Sequence, residues 1–185
     1  MLPKASRERF TAWFLGADLR EEVRLREFRE IYEVHQSYVR KTLYWMVGES
    51  ALDDLVQEVF LKVWQKYWRF RGEAAIRTWI YRITVNTAND FFRKQKNTEK
   101  SVPASSESEF EHSPESHMET KDLIQKGMKK LNTDLRAVFT LFYIQNLPIE
   151  EIANVLKVPS GTIKSRLHQA RTIFGKFLEA NGVRV

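Results

Sequence analysis

PIEEIANVLKVPSGTIKSRLHQARTIF, residues 148–174, is the stretch on which the fold is decided. Ile149, Ile152, Ala153 and Leu156 recur at offsets 0, 3, 4 and 7, the spacing of one helix face. Lys157-Val158-Pro159 then makes a tight connector, and Ser160 stands where an N-cap would open the next helix. That helix turns Ile163, Leu167, Ala170 and Phe174 inward and Lys164, Ser165, Arg166, His168, Gln169 and Arg171 outward. Residues 157–176 hold five Lys/Arg and no carboxylate. A short helix, a turn of about three residues and a second, basic-faced helix make helix-turn-helix geometry. Polar side chains near the start of the second helix can reach base edges in a major groove. An ordinary amphipathic hairpin is the competing reading, but it leaves a solvated face without any carboxylate unexplained.

Outside this motif the composition narrows the class. Across 185 residues, 43% are hydrophobic and 29% charged, as in a soluble globular protein. Seven Gly and five Pro are too few for a turn-rich β architecture, so an all-α fold is expected. The absence of cysteine excludes disulfides, thiolate zinc sites and thiol chemistry. No apolar run approaches the ~18–20 residues of a membrane span, and MLPKASRERFTAWF does not read as a signal peptide, so a cytoplasmic protein is expected.

Charge divides the chain into three. Residues 1–96 carry 18 Lys/Arg against 13 Asp/Glu, residues 97–120 one Lys against six Glu, and residues 121–185 11 against five. The net charges are therefore +5, −5 and +6. Two basic blocks suit a polyanion, with nucleic acid the leading candidate. The Ser/Glu-rich segment between them reads as a flexible linker. The expected organisation is an extension at 1–20, a helical domain at 21–96, a linker at 97–120 and a second helical domain at 121–181. Such a linker predicts two domains that move independently. Helices are expected over 120–131, 133–145, 149–156 and 160–178, with Asn146 and Pro148 separating the middle pair.

Two helices in the first block carry further signals. Val56, Val59, Phe60, Val63, Trp64 and Tyr67 form an apolar stripe. Opposite lie Asp53, Asp54, Gln57 and Glu58, with no basic residue from Glu49 to Leu61. An acidic face on a basic protein fits a basic protein surface, with Leu55 and Leu61 as apolar anchors. The next helix has its stripe at Ile76, Trp79, Ile80, Ile83, Thr87 and Phe91, and opposite it Arg82, Asn86, Asn89 and Arg93. Arg and Lys bind phosphates, and Asn pairs with base edges. Just upstream, Trp68, Phe70 and Trp79 interleave with Arg69, Arg71 and Arg77, a pattern suited to stacking on unpaired bases. Trp79 reads mainly as core, and Phe70, beside Gly72, as exposed.

DDLVQEVFLKVWQKYWRFRGEAAIRTWIYRITVNTANDFFRK, followed after the linker by LPIEEIANVLKVPSGTIKSRLHQAR, resembles the extracytoplasmic-function group of bacterial sigma factors, over about residues 25–178. The resemblance implies that Asp54, Leu55, Gln57, Glu58 and Leu61 dock on the β′ clamp helices of core RNA polymerase, with further contacts to its β subunit. It implies that Phe70 and Asn86 form a pocket for a flipped base of the minus-ten element. Arg77, Arg82, Asn89 and Arg93 would be backbone or base contacts beside that pocket. Ser160, Thr162, Lys164, Ser165, Arg166, His168, Gln169 and Arg171 would read the minus-thirty-five element. It further implies an anti-sigma factor as partner, promoter DNA as ligand, no metal or other cofactor, no catalysis and no membrane insertion. Two departures stand out: Gln169 lies where many members have arginine, and Ile76 replaces a frequent phenylalanine. Phe10, Trp13, Phe14 and Ala17 suggest a short amphipathic helix packed on the first domain.

Two other functions compete. A free-standing regulator accounts for the helix-turn-helix but leaves the Arg/Asn/aromatic surface unused. A metal-dependent nuclease built on Asp53, Asp54 and Glu58 lacks further ligands, since His35, His112, His117 and His168 are scattered.

Overall fold

The computed structural model describes the backbone of residues 4–72, 75–101 and 120–183, and the side chains of 21–72, 75–96 and 120–183. Seven helices run through these residues: α1 (Lys4–Val47), α2 (Leu52–Tyr67), α3 (Ile76–Ser101), α4 (Thr120–Lys129), α5 (Thr133–Phe139), α6 (Ile149–Leu156) and α7 (Ser160–Ala180). No strand occurs among them, as the scarcity of Gly and Pro predicts.

Two compact units divide the chain, residues 1–37 and 38–185. α1 is continuous through the first, so residues 10–17 belong to a longer helix. Whether their apolar face packs on the first domain lies outside the described side chains. α1 ends where Gly48 takes φ +92°, a left-handed conformation that a side chain would strain. Asp53 and Asp54 sit in the first turn of α2, where the helix dipole favours carboxylates. Asn132 caps α5 by accepting a 2.9 Å hydrogen bond from the Leu135 amide.

α2 buries Leu52, Leu55, Val56, Val59, Phe60 and Val63 and packs against α3. A second core joins Met128, Leu131, Leu135, Phe139 and Ala170, with Ile124, Ile173, Phe174 and Trp45 against it. Trp45 comes from the end of α1, so the first basic block reaches into the core of the second. α3 is buried on more than the expected stripe, because Tyr81, Val85 and Ala88 are also inaccessible. These three form a second apolar arc at offsets 0, 4 and 7, and α3 packs against α6 and α5 as well as α2. The two blocks are therefore packed together, where the linker composition predicts independent motion. Of that linker, 97–101 continue α3 and Thr120 opens α4, while 102–119 lie outside the described residues.

α5 continues into a π-helical turn, Thr140–Ile144, where one α-helix was expected to run to 145. Gln145 donates its amide to the Thr140 carbonyl at 3.1 Å, and Asn146 with φ +53° ends the segment.

Candidate nucleic-acid interface

The helix-turn-helix is α6 and α7. α6 buries Ile152 and Val155 and stops at Lys157, whose left-handed φ of +55° turns the chain. α7 buries Ile163, Leu167 and Ala170. Ser160 is the first helical residue and Pro159 occupies the cap position, so Ser160 does not cap α7. No side chain caps α7; the Pro159 carbonyl accepts from the Thr162 and Ile163 amides. Ser160, Lys164, Ser165, His168, Gln169 and Arg171 are exposed, and Thr162 is half-buried. Arg166 is half-buried and donates to an Asp134 carboxylate oxygen at 2.6 Å. Asp134 thus holds one predicted reader in place from α5.

On α3, Arg77, Asn86 and Arg93 are exposed, and Arg82 and Asn89 are half-buried. Arg93 pairs with Asp90 at 2.9 Å. Asn89 Oδ1 is enclosed with no hydrogen-bond partner. Arg82 points at α6, with Nη2 2.7 Å from the Asn154 carbonyl and Nε 3.3 Å from that of Val155. Phe70 is half-buried, not exposed: its ring centroid lies 5.1 Å from that of Trp79, itself half-buried. Gly72 breaks the chain as expected, but the turn folds Phe70 back onto α3. Trp68 remains exposed, edge-on to Trp64 and Tyr67.

On α2, Asp54, Gln57 and Leu61 are exposed, whereas Leu55 is buried with 4% of its surface accessible. Leu55 cannot anchor a partner on this face. It falls between Leu52 and Val59 on the buried stripe, at offsets of three and four residues. Glu58 pairs with Lys62 at 2.7 Å, and Lys62 also donates to the Thr87 hydroxyl at 3.1 Å. Asp53 pairs with Arg40 at 2.5 Å. Two carboxylates of the nuclease reading are thus held by cations.

Polar groups not foreseen from the sequence join α3 to the second block. Tyr81 donates its hydroxyl to Gln145 Oε1 at 3.0 Å, and Gln145 Nε2 donates to Thr42 Oγ1 at 2.9 Å and the Tyr38 carbonyl at 3.2 Å. Arg77 donates to the Tyr81 hydroxyl at 3.3 Å and lies over the Tyr38 and Tyr81 rings. Burial pushes the Tyr38 and Tyr81 hydroxyls above the ordinary tyrosine value, while Arg77 opposes the shift. The hydrogen bond with Tyr81 holds Arg77 above its usual value. Arg136 donates to the Met46 carbonyl at 2.8 Å and the Leu131 carbonyl at 2.9 Å, with its guanidinium over Phe92. Burial lowers its affinity for the proton. A lone arginine inside the apolar run LRAVF was the available signal for this contact.

Residues 31–98 match Sigma-70 region 2, and residues 121–173 match Sigma-70, region 4. The RNA polymerase sigma-H factor of Pseudomonas aeruginosa is 34% identical over 139 residues, covering 68% of this chain and 72% of the relative. The ECF RNA polymerase sigma-E factor of Escherichia coli is 33% identical over 150 residues, covering 74% and 78%. In fold, the chain is similar to the sigma factor RpoE of Bartonella quintana, solved with the anti-sigma factor NepR, at TM-score 0.66 and 22% identity over 83% of this chain and 97% of that one. It is also similar to CnrH, solved with the cytosolic domain of CnrY, at TM-score 0.62 and 23% identity over 84% and 90%.

Proposed function

We propose how this chain, which belongs to the extracytoplasmic-function sigma factors of RNA polymerase, divides promoter recognition among its helices. As a sigma factor it directs promoter-specific transcription initiation through regions 2 and 4. Beyond an N-terminal extension at 1–20, residues 21–96 act as the polymerase-clamp and minus-ten domain and residues 121–181 as the minus-thirty-five domain, with 97–120 as the connection. Asp54, Gln57, Glu58 and Leu61 meet the polymerase clamp. Phe70 and Asn86 hold an unpaired base, with Arg77, Arg82, Asn89 and Arg93 along the strand. Ser160, Thr162, Lys164, Ser165, His168, Gln169 and Arg171 meet the upstream element, and Arg166 joins them from its pairing with Asp134.

One observation supports this assignment above the others. α7 presents six exposed polar or basic side chains over a buried Ile163/Leu167/Ala170 seam, in the orientation a recognition helix needs. The chemistry of RNA synthesis stays with the polymerase, and the chain itself catalyses nothing. It works in the cytoplasm, where the polymerase is. Among the described residues no helix is long and apolar enough to cross a membrane. The sigma factor RpoE of Bartonella quintana was solved with an anti-sigma factor, which supports such a partner here too.

The test is run-off transcription on genomic DNA with core polymerase, with start sites mapped. Transcripts that need both the chain and core polymerase, and that share two upstream elements, support the assignment. Specific DNA binding by the chain alone, with no polymerase-dependent transcript, makes it a free-standing regulator instead.

A further inference from the structure

The buried seam of α7, Ile163, Leu167 and Ala170, fixes what its other side presents, since successive residues are turned by about 100°. Across from the seam lie Gly161, Ser165, His168 and Thr172, with Gln169 beside them, and all five are exposed. Lys164 and Arg171 fall on one flank of this face, and Thr162 and Arg166 on the other.

Hydrogen bonds within the chain take several of these groups out of sequence reading. Ser165 donates its hydroxyl to the Thr162 carbonyl at 3.0 Å, and Thr172 donates its own to the His168 carbonyl at 3.0 Å. Each hydroxyl is left with lone pairs alone to offer a base. Arg166 has a guanidinium nitrogen on the Asp134 carboxylate. Lys164 and Arg171, on the flank, face the side where phosphates line a groove. Two side chains with planar polar edges remain at the centre, His168 and Gln169. An imidazole turns one nitrogen at a time toward a base. The Gln169 amide holds a donor and an acceptor side by side, and no described residue takes up either. That pair matches the N6 amino group and N7 of adenine in the major groove. Guanine offers two acceptors there, cytosine a donor and thymine an acceptor beside a methyl group.

We propose that Gln169 sets the specificity of the upstream element by reading an adenine in the major groove, while Lys164 and Arg171 hold the flanking phosphates. This rests on the reading of α7 as the minus-thirty-five helix. Arg166, three residues before Gln169, serves as a positioning residue. Its pairing with Asp134 ties the reading helix to the first turn of α5, so Arg166→Lys should weaken binding to every sequence without changing the preferred base.

The test uses assembled holoenzyme and a promoter duplex with a mapped start site, its upstream element randomised. Bound duplexes are sequenced for the wild type, Gln169→Ala and Gln169→Arg. The wild type should favour adenine about tenfold over other bases at one position. Gln169→Ala should lose that preference at that position alone, and Gln169→Arg should move it to guanine, whose O6 and N7 both accept. Placing 7-deazaadenine there removes the N7 acceptor and keeps the base pair. It should weaken the wild type about fivefold and leave Gln169→Ala unmoved. Gln169 is exposed, so both variants should keep the wild-type circular dichroism spectrum. A preference unchanged in Gln169→Ala, an equal loss at every sequence, or indifference to 7-deazaadenine overturns the proposal. Lys164→Ala and Arg171→Ala keep the two readings apart. They should weaken all sequences alike and make the salt dependence shallower. If they do so while Gln169→Ala retains the adenine preference, α7 meets the element but Gln169 does not read it. If none of the three variants changes binding, α7 is not the reading helix and both statements fall.

Discussion

At the scale of single residues, neighbours on the same helix have opposite fates. Leu55 and Leu61 look alike in the sequence, yet one is buried and the other exposed. Leu55→Ala should cost about 2–4 kcal/mol of stability, read as a lower midpoint in urea. Leu61→Ala should leave the midpoint nearly unmoved and weaken binding to core polymerase, measured by fluorescence anisotropy. Equal losses of stability from both would contradict the assigned faces. Asn86 offers a second test. It is exposed and free to meet a base, so Asn86→Ala should reduce permanganate reactivity in the minus-ten region far more than duplex binding. A parallel loss of both signals would make Asn86 an ordinary duplex contact. The basic face of α7 was legible residue by residue, because charge and exposure follow helical period. The fates of Leu55 and Phe70 were not. Leu55 joins the Val56–Tyr67 stripe only once Leu52, outside the expected stripe, is counted with it, and Phe70 is returned to Trp79 by a turn that no periodicity describes.

Among the elements, breakers fixed most boundaries. Gly48, Pro148 and Lys157-Val158-Pro159 lie at helix ends, and the helix-turn-helix spans 149–156 and 160–180 against expected helices over 149–156 and 160–178. The π-helical turn at 140–144 had no such mark, since no residue type encodes it. Two glycines within helices show how packing decides sign. A Cβ on Gly127 would lie 2.6 Å from the Phe174 ring and 2.9 Å from Phe177, whereas one on Gly175 meets nothing within 4 Å. Gly175→Ala should therefore raise the melting temperature by the helix-propensity gain of up to ~1 kcal/mol. Gly127→Ala should lower it, because overpacking against two aromatic rings of α7 outweighs that gain. Differential scanning calorimetry checks both, and a rise for Gly127→Ala would refute the α4–α7 packing.

Across the whole molecule, the all-α class and the order of the two blocks were readable from composition and charge. Their joining was not, because it depends on a second apolar arc of α3 meeting α6 and on polar pairs more than 60 residues apart, such as Tyr81 with Gln145. That seam carries a pH dependence. Tyr38 and Tyr81 hold their protons above the ordinary value of 10.0, so the unfolded chain ionises first as the pH rises. The stability they contribute is whole below that value and drains away above it. Urea midpoints should fall between pH 9 and 11, and more shallowly in Tyr38→Phe. An equally steep fall in that variant would place the titrating group elsewhere. The contact between Arg82 and the end of α6 has one more consequence. Both halves belong to one chain, so each faces the other at an effective concentration set by the tether, whatever the number of copies per cell. Dilution, which separates the partners of a contact between two molecules, leaves this one formed as often as before.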